Sequence, residues 1–273
     1  MSAIQGGVPR STHVVQSLRN IHLVLPAFNE EQSLPSLLER CEAFRAEYAR
    51  RADRSIKVWV VDDGCTDDTV ALARAGYGDL PVEVVIHPQN RGLGQAIRTG
   101  LTTALEQSHP DDAVVIMDAD DTHDVGLIEV MVEALEAGAD IAIASRFVPG
   151  GDDSTAPAFR RLLSHGAGWL FNKALPLENI QDFTTGYRAY RASLLQRAVD
   201  HYGERLVEET GFAVMVELLL KLRYCNPVIA EVPMVLRYDR KGSDSKLKLW
   251  RTIGQYLKLI SRDRLSPAPF RVL

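Results

Sequence analysis

The chain has 273 residues, 46% hydrophobic and 25% charged, which is enough to bury the core of one large domain or two small ones. Its formal net charge of −5 gives no overall attraction to nucleic acid, so we expect no nucleic-acid partner, and any anionic ligand needs a local basic patch. Cys41, Cys65 and Cys225 are too few and too scattered for a disulfide framework or a metal knuckle, which favours a reducing, cytoplasmic location.

The first 19 residues lack the apolar core and cleavage site of a secretory signal, and we interpret them as a flexible tail. No segment approaches the roughly 20 consecutive apolar residues that cross a bilayer. The sequence therefore predicts a protein that is cytoplasmic, or peripheral on the cytoplasmic face of a membrane.

Short apolar runs rich in β-branched residues alternate with helical patterns from about residue 20. Continuous apolar runs are typical of strands covered on both faces, and they predict a mostly parallel sheet flanked by helices. The predicted strands are residues 21–25, 57–61, 82–86, 113–117 and 141–145, and the predicted helices between them are residues 34–48, 67–76, 92–107 and 125–138.

The pattern changes after residue 145. A long loop rich in Gly, Pro and Asp is followed by predicted helices at 160–174 and 210–223 and a strand-like run at 228–238. We interpret residues 20–245 as one catalytic domain with a nucleotide-type half, 20–145, and an acceptor-type half, 146–245. Residues 246–273 form a basic C-terminal helix and tail.

Acidic and polar residues follow three of the predicted strands. They are residues 26–31, 62–69 and 118–124. Ligands of open α/β sheets bind beyond the carboxyl ends of the strands, so three such loops at one edge favour a binding site over ordinary solvated turns. Asp118 and Asp120 can direct two oxygen atoms at Mg²⁺ or Mn²⁺, and a diphosphate would complete the metal's coordination.

Seven segments occur along the chain in a recognisable order. They are LVLPAFNEEQSL, VVDDGCTDDT, NRGLGQAIRTG, VIMDADDTHD, ASRFVPGG, QDFTTGYRAY and YDRKGSDSKL. This ordered set, over about residues 20 to 250, resembles the inverting nucleotide-sugar glycosyltransferases of family 2, and among them the dolichyl- and polyprenyl-phosphate mannose or glucose synthases. The resemblance implies a glycosyltransferase A-type fold, with a Rossmann-like sheet, a C-terminal acceptor-side lobe and an amphipathic helix.

The resemblance implies roles for residues of the nucleotide-type half. Cys65 replaces a Ser usual in the family, and Thr122 stands where mannose synthases often have a Gln that completes the metal ligands. The implied metal ligands are Asp118, Asp120 and Thr122, and the implied nucleotide-sugar contacts are Pro26, Phe28, Asn29, Glu30, Asp62, Asp63, Asp118, Ala119 and Asp120.

On the acceptor side, the resemblance implies a cluster that binds a lipid phosphate and a mobile loop that closes over the diphosphate. Arginine suits both tasks because its fork of donors matches phosphate oxygens, although Arg160 and Arg161 could equally form a solvated helix face. The implied acceptor-phosphate residues are Arg146, Arg160, Ser164, Arg240 and Ser245, and the implied catalytic residues are Asp120, Asp182, Arg240 and Lys246.

Other polar residues keep more than one interpretation. Asp182 could orient a sugar hydroxyl, act as general base or cap a helix, and a phosphate acceptor would need no base. Glu217, within an apolar helix, is either a paired buried acid or a site residue. His123 could touch a ligand, could contact a residue that binds the ligand, or could simply be exposed. His87 and His165 are interpreted as structural.

The sequence thus predicts transfer of a hexose, mannose or glucose, from a GDP- or UDP-sugar to a polyprenyl or dolichyl phosphate, with Mg²⁺ or Mn²⁺ as cofactor. The alternatives are a family member with a soluble acceptor and a noncatalytic sugar-nucleotide-binding protein. A sugar-1-phosphate nucleotidyltransferase would have a glycine-rich phosphate loop after the first strand. It is disfavoured because LPAFNEEQ, which begins at the end of that strand, contains no glycine. The amphipathic pattern at 246–264 predicts a helix that either contacts a membrane surface or docks on the core. A homo-oligomer is also possible from the sequence.

Overall fold

The computed structural model describes residues 18–51, 54–174, 180–240 and 249–265. A seven-stranded sheet has the order β3-β2-β1-β4-β6-β5-β7. Its strands are β1 (Asn20–Ala27), β2 (Ser55–Asp62), β3 (Val82–Ile86), β4 (Ala113–Ile116), β5 (Ile141–Ser145), β6 (Arg188–Arg191) and β7 (Ile229–Pro233).

Eight α-helices of the described residues flank this sheet. They are α1 (Leu34–Arg51), α2 (Thr69–Ala73), α3 (Leu93–Glu106), α4 (Leu127–Glu136), α5 (Ala158–Ala174), α6 (Ala192–Tyr202), α7 (Val214–Leu222) and α8 (Leu249–Leu265). The predicted mostly parallel sheet with flanking helices is confirmed.

The parallel strands bring the predicted ligand-binding loops to one edge. β1 pairs in parallel with β2 up to the partners Ala27 and Asp62, and with β4 up to Val24 and Ile116. The loops that begin after Ala27, Asp62 and Ile116 therefore leave the sheet side by side, as expected for the binding edge of an open α/β sheet.

β6 was not predicted, and among the described strands it runs antiparallel to its neighbours β4 and β5. Its sequence, RAYR, has Arg at both ends, which hides it from a search for apolar runs. Arg188 is buried because its guanidinium donates to Met215 O at 2.6 Å and Phe183 O at 2.7 Å. Hydrogen bonds from both Nη atoms help a cation to occupy a strand that is covered on both faces.

Two hydrophobic layers cover the two faces of the sheet. In one layer α3 lies so close to β1 that a Cβ on Gly100 would fall 2.3 Å from Val24 Cγ1. α8 joins the same layer through Leu259 and Ile260, and its Tyr256 meets Phe171 edge-on at 4.9 Å between ring centroids. Part of the predicted amphipathic helix therefore docks on the protein's own core. No described helix has both the length and the apolarity of a membrane span.

Candidate active site

The loops after β1 and β2 are joined by hydrogen bonds. Asn29 has a left-handed backbone with φ of 53°, and its side-chain oxygen accepts from Thr66 N at 2.8 Å. Asn29 N donates to Cys65 Sγ at 3.1 Å. Burial, followed by a hydrogen bond to Asp62, raises the pKa of the Cys65 thiol to about 12. Because a thiol with this pKa stays protonated at neutral pH, Cys65 joins the two loops and does not act as a redox centre.

The two carboxylates after β2 are both buried but have different partners. Asp62 Oδ1 accepts from the backbone N–H three residues later at 2.7 Å. Asp63 accepts from Arg91 N at 2.9 Å and Gly92 N at 2.8 Å, and its Oδ1 lies 2.8 Å from His87 Nδ1. Asp63 thereby fixes the entry to α3.

That entry is also packed against the loop that precedes α7. Gly92 has φ of 92°, and a Cβ there would lie 2.4 Å from Thr210 O. A Cβ on Gly94 would lie 1.8 Å from Glu209 O. The backbone segment that donates to Asp63 is therefore held by the acceptor-type half, at positions that only glycine fits.

Three potential metal ligands converge after β4. One ligand atom each from Asp118, Asp120 and His123 lie within 4.8 Å of one another. Thr122 Oγ1 donates to Asp120 Oδ1 at 2.7 Å. The set of two carboxylates and one imidazole suits a divalent transition-metal cation. Thr122 thereby contacts a carboxylate of this set, and its predicted role as a metal ligand stays a prediction.

The loop that carries these ligands is fixed from two sides. Arg40 of α1 forms an ion pair with Asp121, a non-glycine residue with φ of 66°. From the segment after β7, Arg237 N donates to Thr122 O at 2.9 Å. Neither contact was predicted, because nothing in the local sequence relates Arg40 or Arg237 to the loop.

Arg146, directly after β5, forms a buried ion pair with Asp182. Its Nε and one Nη donate to the two carboxylate oxygens at 2.7 Å each, and the same Nη donates to Thr184 Oγ1 at 2.7 Å. Burial would raise the pKa of Asp182, but the Arg146 guanidinium outweighs it and holds that pKa below its ordinary value. With Asp182 fully buried and both its oxygens bound by Arg146, the geometry favours a positioning role over the predicted general base.

Glu217 is the paired buried acid that the sequence offered as one interpretation. It accepts from Glu208 N at 3.0 Å and Glu209 N at 2.9 Å, and Lys221 Nζ donates to it at 2.8 Å. From α8, Gln255 Nε2 donates to Glu209 Oε2 at 2.9 Å. These contacts shape the loop that supports Gly92.

The start of α5 carries a second cluster of charged groups. Arg161 Nε lies 3.4 Å from Asp153 Oδ1, and His165 Nε2 lies 3.7 Å from Asp153 Oδ2. Arg161 and Ser164 both line the cleft described next. Arg160 belongs to α5, but its side chain lies outside the described residues.

The predicted closing loop is described only at its start. Arg240 ends a short 3-10 helix, Tyr238–Arg240, and is exposed. Ser245 and Lys246 lie outside the described residues.

One cleft of about 1110 Å³ joins these features. Its lining includes the metal group Asp118, Asp120 and His123 together with Asp63, and also Arg146, Arg161 and Ser164. Apolar side chains of α5, α8 and the loop before α7 line it too, among them Leu162, Leu170, Phe212, Ile253 and Leu257.

The family follows from comparison with known proteins. The model of glycosyl transferase family 2 matches residues 22–198. The chain belongs to this family. It is therefore a glycosyltransferase, as the ordered segments predicted.

Two similar proteins have names that describe sugar transfer to a lipid phosphate. The chain is 32% identical over 243 residues to a dolichol-phosphate mannosyltransferase of Pyrococcus furiosus, covering 89% of this chain and 63% of that protein. It is 34% identical over 225 residues to an undecaprenyl-phosphate mannosyltransferase of Micrococcus luteus, covering 82% of this chain and 86% of that protein. The chain thus spans less than two thirds of the Pyrococcus relative.

A solved structure of similar fold is glucosyl-3-phosphoglycerate synthase from Mycobacterium tuberculosis in complex with Mn²⁺, uridine diphosphate and phosphoglyceric acid. Its TM-score is 0.64 at 22% sequence identity, and the match covers 92% of this chain and 80% of that one. This likeness confirms the predicted glycosyltransferase A-type fold.

The fold brings many of the site residues that were predicted from the sequence to the same cleft. Asn29, Asp62, Asp182 and Arg240 are not among the residues that line it. The first three each contact a neighbouring loop or side chain instead. Their predicted roles in binding and catalysis stay predictions. The predicted residues that line the cleft are Pro26, Phe28, Glu30, Asp63, Asp118, Ala119, Asp120, Thr122, Arg146 and Ser164.

Sequence reasoning missed Asp153 and the loop at 210–212, and it left Arg161 undecided. All of these line the cleft. A weak signal existed for Asp153, which falls in the Gly- and Asp-rich loop after β5. No signal marked residues 210–212, because their place at the cleft depends on packing against Gly92 and Gly94.

Proposed function

We propose that this glycosyltransferase moves a hexose, mannose or glucose, from a GDP- or UDP-sugar to a polyprenyl or dolichyl phosphate, with inversion at the anomeric carbon. The observation that carries the proposal is one cleft whose lining includes both the acidic metal ligands and apolar side chains of α5 and α8. The similarity to dolichol-phosphate and undecaprenyl-phosphate mannosyltransferases supports the same acceptor class.

At the donor end, Asp118 and Asp120 would hold Mg²⁺ or Mn²⁺. Such a cation supplies positive charge where negative charge builds up on the departing diphosphate. Phe28, Glu30 and Asp63 line the cleft beside this group and would border the base and ribose. Asp63 is already fixed by two backbone donors, so its position does not depend on the ligand.

At the acceptor end, Arg146, Arg161 and Ser164 would bind the lipid phosphate. An oxygen of that phosphate forms the new bond to the anomeric carbon as the bond from this carbon to the diphosphate oxygen breaks. The phosphate is already anionic, so the step requires no general base. In this proposal Asp182 positions Arg146, and its bidentate contact holds the guanidinium in one orientation.

The charge of the leaving group also calls for cations from the protein. Arg240, next to the segment with Ser245 and Lys246, would supply them by closing over the diphosphate. Arg240 is exposed at the end of its 3-10 helix, as such a movement requires.

We propose further that the acceptor is taken from a membrane surface. Phe159, Leu162 and Trp169 of α5 are 60%, 70% and 66% exposed. Their spacing of three and seven residues sets them on one face of the helix. Leu162 also lines the cleft. Exposed apolar side chains on one helix face suit contact with a lipid layer, and this peripheral contact would be on the cytoplasmic face.

The test uses radiolabelled GDP-mannose and UDP-glucose with undecaprenyl phosphate and Mn²⁺, followed by extraction into butanol. We expect label from one of the two donors in the butanol phase, and none when the lipid phosphate is omitted. Label that stays in water as a new glycoside would instead identify a soluble acceptor. Absence of any transferred label, with nucleotide still bound, would favour a noncatalytic binding protein.

A further inference from the structure

His123 is a buried histidine with a ring nitrogen that no described residue contacts by a hydrogen bond. Its side chain is 4% exposed, and its ring packs against Tyr187 with 5.0 Å between ring centroids. No described residue forms a hydrogen bond with its Nδ1. A buried ring nitrogen without a hydrogen-bond partner is disfavoured, so such atoms usually mark a ligand or a water.

The neighbours of His123 identify the kind of ligand. One of its ring nitrogens lies within 4.8 Å of an oxygen of Asp118 and an oxygen of Asp120, and all three residues line the cleft. Two carboxylates together with an imidazole attract a divalent cation more than any organic group, because each offers a lone pair and the carboxylates add negative charge.

The hydrogen bonds of Thr122 favour His123 over Thr122 as the third ligand. Its hydroxyl donates to Asp120 Oδ1 at 2.7 Å, and its backbone N–H lies 3.3 Å from the same oxygen. A side chain that orients a ligating carboxylate in this way acts behind the metal rather than on it. The next residue, His123, is the one whose side chain joins the carboxylates.

We propose that His123 is the third protein ligand of the divalent cation and that its nitrogen makes the site prefer Mn²⁺ to Mg²⁺. Mg²⁺ favours oxygen ligands alone and retains its waters, whereas the later first-row metals accept imidazole. The inference rests on the proposed function, since it concerns the cation of the same site, and it adds which metal the site selects and through which atom.

The test is pulsed electron paramagnetic resonance of the full chain with substoichiometric Mn²⁺, alone and with UDP or GDP. We expect echo modulation from a directly bound ¹⁴N, which changes to the ¹⁵N pattern when the protein is made with [¹⁵N]histidine. The labelled chain has no substitution, so this readout is independent of whether any variant folds. Isotope labelling also separates the histidine nitrogen from nitrogens of the nucleotide base.

Variants identify which histidine is responsible. H123Q should remove the nitrogen modulation and weaken Mn²⁺ binding by about tenfold or more, with a smaller change for Mg²⁺. The matched control is H109Q, because His109 is an exposed histidine before β4 and does not line the cleft. That control should keep the modulation and both affinities.

The outcomes separate this inference from the proposed function. If Mn²⁺ binds in a manner that D120N abolishes and no histidine nitrogen is seen, His123 is not a ligand, and the proposed function is untouched. If neither Mn²⁺ nor Mg²⁺ binds, both proposals are overturned. If the nitrogen is seen but no lipid phosphate is glycosylated, His123 is confirmed as a ligand and the proposed acceptor is wrong.

Discussion

Buried carboxylates in the two halves of the cleft differ in whether a cation is paired with them. In the nucleotide-type half, Asp63 accepts from the backbone N–H groups of Arg91 and Gly92. In the acceptor-type half, Asp182 and Glu217 also accept from backbone N–H groups, but each is paired with a cation as well, Arg146 or Lys221. Backbone contacts fix Asp63 before the ligand arrives, whereas loss of the Asp182 carboxylate leaves the charge of Arg146 without its partner.

The largest effect is expected in the acceptor-type half, from D182N. The substitution leaves Arg146 buried without its carboxylate, and we expect a loss of about 3–5 kcal/mol in the free energy of unfolding at pH 7, measured with urea. The control is D200N, since Asp200 is exposed on α6. A loss below 1 kcal/mol would mean that the two halves do not differ as described.

The same pair predicts a pH dependence. The pKa of Asp182 is lower in the folded protein than its ordinary value of 3.8, because of Arg146. Its stabilisation is therefore present well above that value and is lost as the pH falls through the lowered pKa. The stability difference between the original protein and D182N should narrow below pH 3.8, and a constant difference down to pH 2 would contradict the assignment.

In the nucleotide-type half, D120N should affect turnover rather than folding. We expect kcat to fall by about 10²–10³-fold, because a charge-stabilising interaction at the leaving group is weakened, while the melting temperature changes little. D124N, in the same loop but not lining the cleft, should retain activity. Equal kcat for the two variants would exclude Asp120 from the reaction.

The contact between the halves is tested by G92A. Ala there must adopt φ of 92° and also approach Thr210 O, and we expect a loss of about 2–3 kcal/mol in unfolding free energy. G138A is the control, since Gly138 has φ of 111° but a Cβ there would meet nothing within 4 Å. The difference between the two variants isolates the contact between the halves. If the losses are equal, that contact contributes nothing.

A smaller effect is expected at the apolar end of the cleft. L162S should raise the KM for undecaprenyl phosphate about fivefold, or roughly 1 kcal/mol, which is part of the value of burying a Leu side chain. The KM for a short-chain prenyl phosphate should change less. V130S is the control, because Val130 is an exposed apolar residue on α4 that does not line the cleft. Equal changes for both lipids would argue against chain binding by α5.

The parallel strands were predictable because a strand that is buried on both faces consists of a continuous run of apolar residues. β6 was not, because its four residues have Arg at both ends, and the carbonyl oxygens that accept from the buried Arg188 are not evident from the local sequence. The amphipathic pattern of α8 also fitted two outcomes, since a helix on a membrane and a helix on a core carry the same periodicity.

At the candidate site, the residue types that follow strand ends were predictable, but their partners were not. The resemblance placed Asp118 and Asp120 correctly at the cleft, whereas the pairing of Arg40 with Asp121 joins α1 to a loop 81 residues away. Contacts over such distances depend on the folded geometry. His123 was weighed as a possible contact with a ligand, but only the structure shows that its side chain converges with the two carboxylates.

The central claim is that Asp118 and Asp120 hold a divalent cation on which sugar transfer depends. The most direct test is the rate of transfer from the active sugar nucleotide to undecaprenyl phosphate in excess EDTA, followed by addition of Mn²⁺ in excess over the chelator. We predict that transfer stops in EDTA and returns with Mn²⁺ in the original protein but not in D120N. Full turnover in excess chelator would contradict the account.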